Sequence, residues 1–298
     1  YRRVLTVLTL REEEDASVID MANRIARLAG SKEIVFFHAW HAMEIPSELR
    51  KKYPWLIEPG ESSMRERMDT LLKEHFENTA GAKVDKHLEQ GSELQGVLKM
   101  ATEHDVDLII CGRSENGLGD DEKFARKAPC SVLIVPPDAM PDFSKVLVPV
   151  DFSRHSANAI DVAVAFADAQ GLDAITCLHA FNVPAGHHRS SVPREEIARD
   201  LEDFARTRLQ DFMKECDTRE LTAHECVVDE PTPAIAIQRL VKREGFDLIV
   251  LGARGRDAVA ATLLGSNALD ILRTARIPVV VVKEKGTAQS FLKSLLGE

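Results

Sequence analysis

The sequence predicts an α/β protein built from two tandem doubly wound domains, each with a five-stranded parallel sheet. Short β-branched runs alternate with amphipathic segments along the chain, a pattern typical of parallel sheets covered by helices on both faces. Right-handed crossovers then favour the strand order 3-2-1-4-5 in each domain. The chain has 298 residues, which is enough for two such cores.

An internal repeat supports this division. "KEIVFFHAW" resembles "DAITCLHAF", and the histidines in these segments, His38 and His179, are 141 positions apart (179 minus 38). "DVDLIICGRS" resembles "GFDLIVLGAR", with Asp107 and Asp247 140 positions apart (247 minus 107). "RRVLTVLTL" and "APCSVLIVPP" also recur, as "SKVLVPVDF" and "ARIPVVVVKE". Four matches in the same order indicate two copies of one fold.

The elements of the second copy follow in a regular order. Strands are predicted at "KVLVPV", "AITCLHA", "HECVVD", "FDLIVLG" and "IPVVVV". Helical spacing predicts a helix ending at Gly171, then a longer polar helix, one from about Pro233 and a last one from Ser266.

The Pro-containing linker "VPPDAMPDFS" separates the copies. We therefore predict domains at 1–138 and 144–284, followed by a C-terminal tail at 285–298, which carries a short amphipathic patch.

Composition excludes several classes of function. The net charge of −10 and the lack of a Lys/Arg-rich block argue against nucleic-acid binding. No stretch reaches the roughly 20 apolar residues that span a bilayer. The cysteines occur singly, without a CxxC pair, which suits a reducing compartment and predicts a cytoplasmic protein. They are Cys111, Cys130, Cys177, Cys216 and Cys226.

One stretch, "LGARGRDAVAATLLGSNALD", suggests a ligand site. Open parallel sheets bind ligands where the strand order reverses, here between strands 1 and 4 of the second copy. Asp151 ends strand 1 and Gly252 ends strand 4, so the two are predicted neighbours although 101 positions separate them (252 minus 151). Positive φ at Gly252 and Gly255 would let the backbone approach a ligand. Gly265-Ser266 would open a helix whose N–H groups favour phosphate.

A purely local explanation stays open at this point. Gly252 would simply end a strand, Gly255 would make a turn, and Ser266 would be an ordinary N-cap.

The run Gly252-x2-Gly255-x9-Gly265-Ser266, with the upstream "VLVPVDFS", resembles the nucleotide-binding signature of universal stress proteins. The resemblance covers essentially the whole second half and, more weakly, the first. It implies a tandem-domain member with the adenine nucleotide alpha hydrolase-like fold, whose two halves pair through their last strands into a pseudo-dimer. It also leaves room for a homodimer and for a protein partner of unknown kind.

The resemblance implies ATP as the ligand, with or without Mg²⁺, bound by the second domain. Asp151 would hold the ribose, backbone near Val150 and Ala180 would meet the adenine, the glycine loop would cradle the phosphates, and Arg254 would help to neutralise them. Pro231 stands where many members have a glycine, which puts a contribution from that loop in doubt. The implied ATP-binding residues are Pro149, Val150, Asp151, Ala180, Gly252, Arg254, Gly255, Gly265, Ser266 and Asn267.

The first copy lacks this set. Thr9 stands at the position of Asp151, and Glu115 at that of Gly255. Gly112 and Pro129 are 17 positions apart, whereas Gly252 and Pro278 are 26 apart, so the first loop is nine residues shorter. Acidic residues follow where an anion would need donors: Asp120, Asp121 and Glu122. We expect this copy to keep the fold without binding nucleotide.

The leading hypothesis is an ATP-binding regulatory protein of the stress response that is not an enzyme. Two alternatives stay open: an interaction scaffold that binds no nucleotide, and a slow ATP hydrolase that has no evident lysine clamp or general base. His38 and His179 recur at matching strand ends and are predicted to be structural. His155 and the pair His187-His188 are weak candidates for metal ligands, since no partner follows at i+3 or i+4.

Overall fold

The computed structural model describes residues 1–40, 47–53, 60–78, 80–114, 120–189, 191–254 and 264–284. The first domain contains five strands and five helices in the described residues. They are β1 (Arg3–Val7), α1 (Glu12–Ala29), β2 (Glu33–Trp40), α2 (Ser47–Lys52), α3 (Glu61–His75), β3 (Lys83–Gln90), α4 (Glu93–Glu103), β4 (Leu108–Gly112), α5 (Asp121–Lys127) and β5 (Ser131–Val135).

The second domain repeats this order, with a short 3-10 helix at Ala185–Arg189. Its elements are β6 (Val146–Pro149), α6 (Arg154–Gln170), β7 (Ala174–Phe181), α7 (Arg194–Lys214), β8 (Thr222–Asp229), α8 (Pro233–Glu244), β9 (Leu248–Gly252), α9 (Ser266–Thr274) and β10 (Val279–Val282). The predicted helix starts at Pro233 and Ser266 are confirmed. Gly171 ends α6 in the left-handed conformation, with φ of 72°, which a glycine adopts without strain.

All ten strands form one sheet in the order β3-β2-β1-β4-β5-β10-β9-β6-β7-β8. Each half therefore has the predicted order 3-2-1-4-5, with parallel pairing inside the half. The halves join through their last strands, β5 and β10, which pair antiparallel with Val280 opposite Leu133. This β5–β10 seam is the pseudo-dimer that the resemblance implied, formed within one chain.

Two apolar layers cover the sheet, and each runs across the seam. One layer packs α1, α3, α6 and α7 on the sheet, and the other packs α4, α5, α8 and α9 on the opposite face. Phe143 of the linker is 1% exposed, and its ring packs edge-on against Phe166 of α6. Burial of continuous apolar surface favours one body over two separate domains.

The cysteines and the helix lengths bear on the class of protein predicted from composition. The five cysteines are free thiols, and three of them are buried. Among the helices that the structure describes, every one is too short or too polar to cross a bilayer. The tail at 285–298 lies outside the described residues.

Candidate functional site

The loop between β6 and α6 holds Asp151 in a fixed position. Its backbone N–H donates to Ser156 Oγ at 3.0 Å, and its Oδ1 accepts from that hydroxyl at 2.5 Å. Oδ1 also accepts from the N–H of Ser153, the N-cap of α6, at 3.0 Å. Phe152 between them adopts a left-handed φ of 65°. The half-buried carboxylate is thus fastened at the end of β6, where the sequence predicted it.

Gly252 ends β9 against the first turn of α6. A Cβ on this residue would lie 2.6 Å from the carbonyl oxygen of His155 and 2.8 Å from its Cβ. The expectation of a positive φ at Gly252 is wrong, because the backbone of Gly252 lies outside the positive-φ region. The glycine is needed for close packing: α6 sits directly on the strand end. Since Asp151 binds Ser156 in the same turn, the acid and Gly252 are neighbours, as predicted.

The last helix begins beside the end of β9. The N–H of Gly265 donates to the carbonyl of Ala253 at 3.1 Å, and α9 starts at Ser266. Gly265, not Ser266, is the N-cap, with φ −60° and ψ 148°, so this helix has no side-chain cap. Ser266 and Asn267 are exposed in its first turn, where N–H groups have no acceptor within the helix. Gly255 lies outside the described residues.

Charged groups of both signs lie near these two strand ends, and Glu284 forms an ion pair with Arg154 at 2.9 Å. Burial lowers the pKa of His155, and the nearby charge of Arg254 lowers it further. Burial also lowers the pKa of Lys283 to about 8, again with a smaller contribution from Arg254. The charge of Arg254, two residues after β9, thus acts on both groups, while Glu284 and Asp151 act on His155 in the opposite direction. Lys283, directly after β10, was missed from the sequence because its partner, the carbonyl of Ala128 at 2.9 Å, belongs to the other domain.

The predicted ligand site lies in the crevice at the carboxyl ends of β6 and β9. On its β7 side, a histidine bonds the strand-end backbone. His179 Nδ1 donates to the carbonyl of Val150 at 2.8 Å, and the N–H of Val150 donates to Leu178 at 2.8 Å. The N–H and the carbonyl of Val150 are therefore both engaged within the domain. His38 Nδ1 makes the matching 2.8 Å bond to Leu8 in the first domain. Both histidines are structural, as predicted.

Pro149, at the end of β6, and Ala180, near the end of β7, are both partly exposed at this edge of the sheet. The ring of Phe152 lies beside that of His179, with centroids 4.3 Å apart, and the Arg208 guanidinium stacks over Phe152 at 4.5 Å. This stack joins α7 to the strand end and has no signal in the sequence.

Comparison with known proteins identifies the family. The model of the universal stress protein family matches residues 1–136 and again residues 142–283. The chain belongs to the universal stress protein family. Both halves match separately, so it is a tandem member, and its general role is in the stress response.

Individual relatives agree with this assignment. A universal stress protein of Thermus aquaticus is 30% identical over 141 residues, covering 47% of this chain and 99% of the relative. A Mycobacterium tuberculosis universal stress protein is 25% identical over 192 residues, covering 61% and 63%. Among solved structures, a Pseudomonas aeruginosa protein of unknown function superposes with a TM-score of 0.69 at 18% identity, covering 99% and 97%. At that identity the likeness shows the fold alone.

The first domain of this universal stress protein has the same strand-end loop with its polar groups exchanged. Thr9, at the position of Asp151, donates its N–H and its hydroxyl to Asp15 Oδ1 at 2.9 and 3.1 Å. Leu10, at the position of Phe152, has φ of 61° and donates its N–H to Asp15 Oδ2 at 2.7 Å. Asp15 is 1% exposed, and burial raises its pKa to about 6. The carboxylate now belongs to the helix and is enclosed.

Several carboxylates lie near the start of α5 in the described part of the first domain. α5 starts at Asp121 with Asp120 as its N-cap residue. Burial raises the pKa of Glu93 at the start of α4 to about 7, and the charges of Asp120, Asp15 and Asp121 add to the shift. A phosphate at the start of α5 would be repelled by these carboxylates.

The histidines considered as metal ligands do not form a cluster in the described residues. The group there that could hold an ion is Glu12, Glu74 and His75, at the α1–α3 contact. His187 donates Nδ1 to its neighbour Pro184 at 2.9 Å.

Proposed function

We propose that this universal stress protein binds ATP in its second domain only and acts as a nucleotide-dependent regulator. The observation that carries the proposal is the uncapped start of α9 beside the end of β9, with the half-buried carboxylate of Asp151 at the adjoining strand end.

The phosphates would lie at the start of α9. Its first-turn N–H groups and the helix dipole favour an anion, and Gly265 brings no side chain that competes for them. The exposed side chains of Ser266 and Asn267 add donors. Arg254, two residues after β9, would add a positive charge near the phosphates.

The ribose would lie at Asp151. Two bonds to the start of α6 fix the orientation of this carboxylate, so little ordering entropy is lost when it accepts hydroxyl donors. A carboxylate has about four acceptor sites, which is enough for both the α6 contacts and a ribose.

The first domain would not bind nucleotide. Its carboxylate, Asp15, is enclosed by the N–H groups of Thr9 and Leu10, and the start of α5 carries its own acids. One site per chain is therefore the expected stoichiometry.

We propose regulation rather than turnover. The groups assigned to ATP are backbone donors, a carboxylate that holds ribose and Arg254, and Lys283 is bonded to the carbonyl of Ala128. Hydrolysis also needs a base that orients the attacking water. The side chains described at this site are assigned to binding the nucleotide rather than to activating a water, so any release of phosphate should be slow.

Equilibrium titration of the full chain with Mg²⁺-ATP tests the proposal. We expect one site per chain, and a ligand that binds only the folded state stabilises it by about 2.7 kcal/mol at a hundredfold excess over Kd. The melting temperature should rise accordingly. Two equivalent sites would contradict the loss of the first site. No binding at millimolar ATP would favour the scaffold instead.

A further inference from the structure

We infer that the first domain positions the phosphate-binding helix α9 of the second through Arg113, which sets the affinity for ATP without touching it. The inference rests on the proposed function. Arg113 directly follows β4, and its Nη2 donates across the β5–β10 seam to the carbonyl of Leu272 in the last turn of α9.

That carbonyl needs a partner from outside the helix. The last intrahelical bond of α9 runs from the N–H of Ala275 to Ile271 at 2.8 Å. Leu272 therefore carries the first of the final carbonyls that the helix cannot satisfy. Because Leu272 is only 3% exposed, leaving this carbonyl without a donor would be costly. A guanidinium satisfies it and also suits the negative end of the helix dipole.

The acids of the first crevice act on Arg113. Burial lowers its pKa, and the charge of Asp121 at the start of α5 opposes that shift. The position where an intact domain would hold phosphate thus carries acids that favour the charged guanidinium. The lost nucleotide site has become part of the support for the retained one.

The seam carries a matching contact in the opposite direction. Lys283, after β10, donates to the carbonyl of Ala128, the C-cap of α5, at 2.9 Å. Each domain therefore binds the end of the other's last helix. The two helices differ at their starts, where α5 has Asp120 and Asp121 and α9 has the bare Gly265.

A second contact between the domains, an ion pair, provides a control for the effect of Arg113 on ATP affinity. Arg273 of α9 contacts both carboxylate oxygens of Glu122 at 2.8 and 3.1 Å. Its side chain is 54% exposed, so this pair contributes little, and it does not engage the α9 backbone.

The effect of Arg113 should appear only when phosphates are bound. α9 is nine residues long, so loosening its end changes the direction of its first N–H groups. Hydrogen bonds weaken steeply with misalignment. Adenosine, which has the base and the ribose but no phosphate, should not sense the change.

Calorimetric titration of the full chain with Mg²⁺-ATP and with adenosine tests this. Arg113→Met, which keeps the aliphatic stem but no donor, should weaken ATP by about five- to tenfold, a typical coupling between distant sites. Adenosine affinity should stay the same. Arg113→Lys should restore part of the loss, and Arg273→Met should change neither ligand.

Other outcomes would overturn the inference. Equal losses for ATP and adenosine would make Arg113 merely structural, and unchanged ATP affinity would remove its role altogether. If Arg113→Met does not fold, the loss of ATP affinity relative to the loss of adenosine affinity is measured on Arg113→Lys and decides the question. A parent protein that binds adenosine and ATP equally would refute the phosphate site at α9 and with it this inference, whereas a parent that binds neither would refute the proposed function itself.

Discussion

The two strand-end loops of this protein share a backbone and differ in where the carboxylate sits. Leu10 and Phe152 have nearly the same left-handed φ, 61° and 65°. In both loops a histidine donates to the carbonyl two residues earlier. In the second domain the acid is on the strand end and the hydroxyl of Ser156 is on the helix. In the first, the hydroxyl of Thr9 is on the strand end and the acid is on the helix.

This exchange keeps the loop while it moves the carboxylate. A hydroxyl–carboxylate pair fastens the helix to the strand in either arrangement, so the loop survives the swap. Only the arrangement with the acid on the strand end leaves the carboxylate half-buried at the crevice. The first domain keeps the bond between strand end and helix but buries its carboxylate, the group that we propose binds ribose in the second domain.

The largest expected effect is on ATP affinity at Asp151. Asp151→Asn keeps an oxygen for Ser153 and Ser156 but removes the charge. Losing a charged hydrogen-bond partner costs about 1.5–3 kcal/mol, so binding should weaken roughly ten- to a hundredfold. Thr9→Ala, at the matching position, should leave affinity unchanged. Titration of both variants checks this, and a loss confined to Thr9→Ala would reverse the assignment of the domains.

A second comparison concerns the glycines that end β9 and β4. A Cβ on Gly252 would lie 2.6 Å from the His155 carbonyl oxygen, whereas one on Gly112 would meet Val18 at an ordinary 3.4 Å. Gly252→Ala should therefore force α6 away and cost about 1–3 kcal/mol, typical of overpacking. Gly112→Ala should cost far less. Urea denaturation followed by circular dichroism measures both, and equal losses would mean that α6 can move freely.

The third comparison concerns pH. The folded-state pKa of Glu93 is about 7, above its ordinary value of 4.5, because burial disfavours its charge. Its stabilising contribution is complete below pH 4.5 and is lost as the pH rises through about 7. At pH 8, Glu93→Gln should therefore be more stable than the parent, by on the order of 1–3 kcal/mol.

The second domain has Pro233 at the start of the corresponding helix, so the effect belongs to the first domain alone. Glu13→Gln, an exposed acid on α1, controls for the change in net charge. Melting temperatures from pH 5 to 8 provide the measurement, and parallel curves for Glu93→Gln and the parent would contradict the prediction.

The smallest expected effect is at the helix N-caps. Ser153 accepts from Ser156 N–H at 3.2 Å, whereas Arg11, the N-cap of α1, makes no side-chain cap. Ser153→Ala should cost about 1 kcal/mol, and Arg11→Ala should stay within roughly 0.5 kcal/mol of the parent. If thermal unfolding shows the same loss for both, the Ser153 cap adds nothing measurable.

The sequence by itself determined the architecture. Alternating strand and helix patterns and the repeat predicted both domains, the strand order and the start of α9 at Ser266, because hydrophobic periodicity and turn residues are local signals. The topology rule then brought Asp151 and Gly252 together across 101 positions (252 minus 151). Thr9 at the matching position already indicated that the first copy had changed.

Only the tertiary structure decided how closely elements approach and which groups meet across the seam. Gly252 is required by the distance to α6, which no pattern within β9 encodes. The bonds of Asp15 form because this side chain of α1 folds back to the end of β1. Arg113 and Lys283 find carbonyls 159 and 155 positions away. Hydrophobic periodicity in the sequence identifies which face of an element is buried. The hydrogen bonds from these cations to helix-end carbonyls form only when the two domains pack together.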